Sequence, residues 1–489
     1  MPAARRTARP ASPAFGVPGT RAALLLAAAV AIATLVAFSP VARNGFVNYD
    51  DGDMLTENPN VAAGLTASSV RWAFTSVEHA YWVPLTWLSH QVDFQLFGMN
   101  AGAHHAVSAL MHAANAALLL VLLNAMTGAP VRSALVSALF ALHPLRVESV
   151  AWASSRRDVL SLFLCLLACA AWLSYARSRS RGAYAAALVL FAGALMSKPT
   201  IVTLPALLLL LDLWPLGRWP MRGRLPALPP AGILLEKVPL VLLAAGAGAV
   251  LFVSQRAAGA VTYAVTRDGA IHVWNACRSY GVYVLKTLWP SKLAVFYPYD
   301  WSAIPWWQPA LGALLVAAVT ALTLAALRRR PALFVGWAWY LGTLLPMIGL
   351  VQAGGQAMAD RYTYLPHIGL CVLAVWAVAD AAGRSTRART AAAAVAALAL
   401  PALAAATWVQ TTHWRTSETL FRHALAVTEG NWLAHNNLGV AWGTLGDEGK
   451  ALEHFTEALR IRPGYPMAEE NLRRLREAQA LRAAPPAAE

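Results

Sequence analysis

Residues 22–41 read Ala-Ala-Leu-Leu-Leu-Ala-Ala-Ala-Val-Ala-Ile-Ala-Thr-Leu-Val-Ala-Phe-Ser-Pro-Val. The run carries no charge, and about 20 apolar residues at 1.5 Å per residue cover the ~30 Å hydrocarbon core of a bilayer. Arg5, Arg6, Arg9 and Arg21 precede it. A basic flank before an apolar run longer than the roughly 7–15 residues of a signal-peptide core predicts a retained signal-anchor. Its basic tail, residues 1–21, is then cytoplasmic.

Similar runs recur along the chain. We count eleven candidate spans: Ala22–Val41, His105–Met126, Ser133–Trp152, Val159–Ala176, Ala183–Met196, Thr200–Trp214, Val238–Val253, Pro309–Leu327, Leu333–Val351, Tyr364–Val378 and Ala391–Val409. The chain of 489 residues is 58% hydrophobic and 13% charged, with a mean hydropathy of +0.49, against about 25% charged residues in a soluble domain. The sequence therefore predicts an all-α, polytopic membrane protein. Its net charge of +15 does not point to nucleic acid, because the basic residues sit in short clusters between apolar runs. Cys165, Cys169, Cys277 and Cys371 have neither disulfide-framework nor metal-ligand spacing and read as small core residues.

Loop charges set the expected orientation. Arg177, Arg179 and Arg181, then Arg218, Arg222 and Arg224, then Arg328–Arg330, then Arg384, Arg387 and Arg389 all fall on the cytoplasmic side of an eleven-span arrangement, as the positive-inside rule requires. The transmembrane part is then 22–410, with an external loop at 43–104 and an external segment at 254–308. Residues 272–289 resist, since a span there would turn Arg328–Arg330 outward; they are laid along the outer surface or re-entrant. Trp72, Trp82, Trp87, Trp301, Trp306 and Trp307 lie in these external parts, where interfacial aromatics anchor segments at headgroup level.

From about residue 411 the chain becomes charged and helix-periodic. Residues 432–465 supply Leu438, Gly439, Trp442, Ala451, Phe455, Ala458 and Pro463 at the positions of a 34-residue tetratricopeptide repeat. Phe421 and Ala424 fall on Phe455 and Ala458 after a shift of 34 residues, and another helix follows Pro466. One repeat and two halves fall short of the roughly three needed for an independent stack, so 411–489 is a short α-solenoid that leans on the membrane part or on a protein partner.

The external loop opens with Asn44-Gly-Phe-Val-Asn-Tyr-Asp-Asp-Gly-Asp-Met-Leu-Thr-Glu-Asn-Pro-Asn60, which places Asp50, Asp51, Asp53 and Glu57 just past the first span. A carboxylate pair can act as a general base, because proximity and partial burial raise one pKa while the other group stays ionised. A solvated turn is the plainer alternative. Trp82, His90, Asp93 and His105 follow, with His104 and His112; they lack the HExxH form of a helical zinc site and read first as hydrogen-bonded residues. Arg156 and Arg157 interrupt the positive-inside pattern on the outer face, as do Lys198 and Arg361. A guanidinium fork there matches the oxygens of a lipid phosphate, the alternative being an ion pair of Arg157 with Asp158 or Glu148.

Asn48-Tyr-Asp-Asp51, Trp82-Val-Pro-Leu-Thr-Trp87, His143-Pro-Leu-Arg-Val-Glu-Ser-Val-Ala-Trp152, Ser197-Lys-Pro199, Asp212-Leu-Trp-Pro-Leu216 and Ala359-Asp-Arg-Tyr-Thr-Tyr364 resemble the transmembrane and tetratricopeptide repeat-containing family over nearly the whole chain. The family is similar to the GT-C glycosyltransferases, and its animal members are implicated in O-mannosylation. The resemblance implies a polyprenyl-phosphate sugar donor, mannose among the candidate sugars, and a protein or envelope hydroxyl as acceptor. It makes Asp50 or Asp51 the base, Arg156, Arg157, Lys198 and Arg361 the phosphate ligands, and Trp82, His90, Asp93 and His105 candidates for the acceptor or sugar. No cofactor or metal is required, although a divalent cation at the acidic pair is compatible with it. The implied location is a bacterial inner membrane, with the repeats periplasmic. The competing class is a non-enzymatic membrane scaffold whose repeats recruit an envelope partner.

Overall fold

A computed structural model describes residues 20–77, 81–222, 225–226, 228–257, 269–299, 304–350 and 354–483. Most of the basic tail, and Trp301, lie outside the described residues.

The protein is a polytopic α-helical membrane protein, and each of the eleven apolar runs falls on helix. Among the described residues, six helices are long and apolar enough to cross alone: Thr20–Arg43, Ala101–Thr127, Ala153–Ser178, Ala231–Arg256, Trp307–Ala326 and Thr386–Thr412. Three of these lie on the perimeter, with 6–17% of their apolar windows buried, which leaves the rest facing lipid. The third run is bent by 59° between Pro130–Ala141 and Pro144–Ala151, where Pro144 removes a backbone donor. Arg181–Ser197, Pro199–Leu213, Pro331–Leu344 and Pro366–Ala382 are shorter. At 1.5 Å per residue they reach only about 20–26 Å, so they do not each cross a bilayer unaided.

Close helix crossings use glycine. A Cβ at Gly369 would lie 2.4 Å from Gly336 O, and one at Gly102 would lie 2.3 Å from Ala42 O; the second contact fixes how the first helix hands over to the acidic loop. Buried polar side chains pin the interior. His112 Nδ1 meets the Tyr364 hydroxyl at 2.6 Å and its Nε2 meets Ala141 O at 3.1 Å, while Asn115 donates to Val159 O at 2.8 Å. His112 is thus a structural histidine.

One end of the bundle collects basic residues. There Arg132 and Arg330 face Asp380, and Arg179 and Arg218 face Glu236. The opposite end, the site end, gathers the acidic loop, the 143–158 turns, the Lys198 hairpin, residues 289–299 and 356–363, and the repeats. Gly269–Leu288 forms a helix whose polar partners lie at that end: Asn275 donates to Ala357 O at 2.8 Å and Tyr283 to Ala359 O at 2.9 Å. Its opposite face exposes Val273, Trp274, Leu285 and Leu288. Beyond it Tyr297–Pro298 pairs antiparallel with Gln356–Met358.

The repeat helices are Ser417–Val427, Trp432–Thr444, Glu448–Ile461 and Pro466–Ala483. Gly439 is small because the Phe455 ring sits where its Cβ would be, 2.7 Å away. These helices lean on the bundle. Asn431 donates to Phe296 O at 3.1 Å, His423 meets Leu293 O at 2.9 Å, and Trp414 stacks on Trp152 at 6.2 Å.

Candidate functional site

The acidic loop is held from three sides. Gly45 N donates to Arg415 O at 3.0 Å, Asn48 N to Ser417 Oγ at 2.9 Å and Asn48 Nδ2 to Asn437 O at 2.8 Å, so the loop is docked on the first repeat helices. From the bundle, Trp152 Nε1 donates to Tyr49 O at 2.8 Å and the two rings stack at 4.9 Å. The third hold is Asp51. Its Oδ2 accepts Val47 N at 3.0 Å, and its Oδ1 accepts Ser154 N at 3.0 Å and Ser154 Oγ at 2.5 Å.

The two carboxylates therefore occupy different worlds. Asp51 is fully buried, and burial pushes its carboxyl up to about 7, against the opposing hydrogen bonds from Ser154 and Val47. Asp50 is exposed and its backbone lies at φ 65°, a left-handed conformation that few non-glycine residues adopt and that clusters at functional sites. One carboxylate is buried with both oxygens hydrogen-bonded, and the other is exposed.

Beside this loop is a cavity of about 280 Å³. Its cationic wall is Arg157, Lys198 and Arg361; Tyr81, Val83, Gln356 and Tyr362 line it too, and Leu251 and Met347 make its apolar side. Two of the three cations are held from behind by buried acids. Arg361 pairs with Glu148, whose Oε2 also accepts the Arg361 backbone N–H at 2.8 Å. Lys198 pairs with Asp158, which accepts Ser155 Oγ at 2.8 Å and Ser149 Oγ at 3.1 Å. Burial disfavours the Lys198 ammonium, and the Asp158 carboxylate offsets part of that. Arg157 pairs with neither acid; its guanidinium lies over the Tyr81 ring at 5.1 Å, and no carboxylate among the described residues lies within ion-pair distance. The cavity wall thus has three positive groups against two acids.

Arg361 also connects the cavity to the acidic loop. Its guanidinium lies 5.2 Å from the Trp152 ring and 5.1 Å from the Tyr362 ring, and Trp152 is the ring on which Tyr49 stacks. Asp50, next in sequence to Tyr49, does not line the cavity.

Other residues singled out from the sequence are placed elsewhere. Arg156 is fully buried: it binds Ser108 Oγ at 2.8 Å, His104 O at 2.6 Å and Asp93 at 2.6 Å. It ties helices together instead of facing the cavity. His90, Asp93 and His105 are buried in the same region, with His105 Nε2 on Gly45 O at 3.2 Å; Trp82 donates to Phe74 O at 2.8 Å. None of these four lines the cavity. Trp87 is buried against Trp72 at 5.3 Å and is not an interfacial anchor. The Pro84–Phe97 helix turns its His90/Asp93 face inward, which helical spacing alone does not specify. Sequence reasoning passed over Trp152, Tyr362 and Ser154 as site residues, and it cast Glu148 and Asp158 only as partners of Arg157. The signal available for them was an acid or aromatic next to each out-of-place cation.

The chain is 26% identical over 507 residues to human Protein O-mannosyl-transferase TMTC1, covering 91% of this chain and 56% of that protein. It is 26% identical over 480 residues to human Protein O-mannosyl-transferase TMTC4, covering 86% and 64%, and 34% identical over 187 residues to Drosophila melanogaster Protein O-mannosyl-transferase Tmtc1, covering 36% and 21%. It thus spans about 56–64% of the length of the human relatives. No family model and no solved structure matches it. Over most of its length the chain is a homologue of the transmembrane and tetratricopeptide repeat-containing O-mannosyl-transferases.

Proposed function

We propose that the protein is a membrane glycosyltransferase that moves a sugar, mannose by analogy with its relatives' names, from a polyprenyl-phosphate donor to a hydroxyl of a protein or envelope acceptor. The observation that carries this reading is the cavity whose three cations exceed their buried acids by one, linked through Arg361 and Trp152 to a loop that exposes Asp50 on a left-handed backbone. Arg157, Lys198 and Arg361 hold the donor phosphate. Guanidinium and ammonium donors fixed before the reaction stabilise the charge that develops on a departing phosphate oxygen. Asp50 takes the proton of the acceptor hydroxyl. The acceptor oxygen then bonds to the anomeric carbon as the bond from that carbon to the phosphate oxygen breaks. The electron pair leaves with the lipid phosphate, and a single displacement inverts the anomeric centre. Asp51 orients the loop and does not itself accept the proton.

The site end, with the repeats, faces the extracytoplasmic side of a bacterial inner membrane, and the N-terminal tail is cytoplasmic. The repeats, docked against the acidic loop, present the acceptor or a protein partner. A non-enzymatic scaffold is the competing reading. The two part in proteoliposomes supplied with polyprenyl-phosphate mannose and a Ser/Thr-rich acceptor peptide. The enzyme reading expects a hexose added to the peptide by the natural protein and none by Asp50→Asn; addition unchanged in Asp50→Asn and in Arg157→Ala would sink it.

A further inference from the structure

We propose that His90, Asp93 and His104 form a buried zinc site that clips the Pro84–Phe97 helix to the start of the Ala101–Thr127 helix. His90 and Asp93 are three residues apart and share one helix face; His104 arrives from the next helix after the chain reverses at Gly98. One donor atom from each lies within 4.8 Å of the others, and all three residues are at most 3% exposed.

Among the described residues the hydrogen bonding leaves both histidines with a buried nitrogen that no donor meets. His104 Nε2 is bonded to Gly98 O at 2.9 Å, so the ring proton sits there and Nδ1 turns a lone pair inward. It stands 3.7 Å from Asp93 Oδ2, an oxygen already paired with Arg156 Nη2 at 2.6 Å. Among the described residues neither ring nitrogen of His90 has a hydrogen-bond partner, so a lone pair of this buried ring is open to a ligand. Buried polar atoms without partners are costly, and one cation would satisfy both histidines while sharing Asp93 with Arg156.

The donor set selects the metal. Two imidazoles and a carboxylate suit zinc, whereas calcium and magnesium take oxygen ligands. With metal–nitrogen bonds of about 2.0–2.1 Å, tetrahedral ligand atoms sit about 3.3 Å apart, which the present spacing reaches by small side-chain rotations. Arg156 Nη2 lies 2.6 Å from Asp93 Oδ2 and its charge opposes a cation. Ligation through the other carboxylate oxygen leaves Arg156 as the outer partner of the ligand, the arrangement in which metal-bound carboxylates are themselves hydrogen-bonded. The clip has a consequence for the cavity. The same helix follows Tyr81 and Val83, which line it, and Thr86 donates to Ser197 O at 2.9 Å beside Lys198.

The test is the metal content of the full chain, purified in detergent through a histidine-free tag without chelator. Roughly one zinc per chain is expected, held by three protein ligands with water at the fourth tetrahedral position. His90→Ala and His104→Ala should each lose most of it, while Asp50→Asn keeps it. Stripping with a strong chelator should lower the unfolding temperature of the natural protein, and added zinc should restore it. Should the histidine variants not fold, the content and chelator response of the natural protein decide. Background zinc with no response to added zinc overturns the proposal. So does zinc that both histidine variants retain, or zinc lost in Asp50→Asn but kept in His90→Ala.

Discussion

Changing Asp50 and Asp51 separately to Asn should give opposite pairs of effects. At Asp50 the side chain is exposed and the backbone lies at φ 65°, a conformation that Asn tolerates as well as Asp. Stability should therefore move by no more than about 0.5 kcal/mol. Transfer should fall by about 10²–10⁴-fold, the usual contribution of a positioned base. At Asp51, Asn can still accept from Ser154 through its carbonyl, but its amide would face Val47 N–H, donor against donor. Leaving that buried donor unsatisfied costs about 1–3 kcal/mol. The deficit depends on pH. The Asp51 carboxyl is raised in the folded state from 3.8 to about 7, so the folded protein binds the extra proton, and stability falls as pH rises from about 4 through 7. At 1.36 kcal/mol per unit the ionisation cost is about 4 kcal/mol above pH 7, and Asn does not carry it. Asp51→Asn should thus be clearly less stable than the natural protein near pH 4, with the gap closing or reversing at pH 8. Unfolding in detergent at the two pH values, together with hexose transfer to an acceptor peptide at pH 8, measures both quantities. A fully active Asp50→Asn, or an Asp51→Asn that is stable at every pH yet inactive, would refute the division of roles.

Arg361→Met leaves Glu148 buried without its partner and should destabilise the protein by about 3–5 kcal/mol, seen as a lower unfolding temperature; Arg361→Lys should recover part of the stability but not the donor KM, because the fork is lost. Arg157→Ala removes the one cavity cation without a carboxylate partner among the described residues and should raise the donor KM at least tenfold with little change in unfolding temperature, which donor titrations would show. Gly369→Ala would put a methyl 2.4 Å from Gly336 O and should cost about 1–3 kcal/mol through overpacking, read as reduced unfolding temperature and yield. Asn48→Ala removes the bonds of the loop to Asn437 O and should lower transfer without altering donor affinity, checked by separate kcat and donor KM measurements.

Composition and periodicity carried much of the architecture: every apolar run is helical, and the repeat signature at Leu438, Gly439, Phe455 and Ala458 marks a packed helix pair. They could not carry helix length where prolines cut the run, as at Pro144 and Pro346, because hydropathy averages across a break. At the site, residues out of register with the charge rule were informative. Arg157, Lys198 and Arg361 do meet in one cavity, since a cation retained at that end needs an anion or an acid to justify it. Arg156 carries the same sequence signal, yet its helix turns it toward Asp93, a rotation of 100° that neighbouring positions on a helix always differ by. The carboxylate pair was legible as unusual but not as divided, because only the tertiary contact with Ser154 distinguishes Asp51 from Asp50. The inward His90/Asp93 face was hidden for a related reason: in a membrane protein polar residues can face inward, so polarity does not identify the solvent side.

Whether the proposed transfer of a lipid-phosphate sugar depends on Asp50 is decided in cells. It is tested most directly by mass spectrometry of lipid-linked sugars and envelope glycoproteins in three strains: one with the natural protein, one deleted for it, and one rescued with Asp50→Asn. With Asp50 as the base, the proposed transfer leaves accumulated donor and missing glycan in both the deletion and the Asp50→Asn strain. Normal glycan and donor levels in the Asp50→Asn strain, with the defect present only in the deletion, would contradict it.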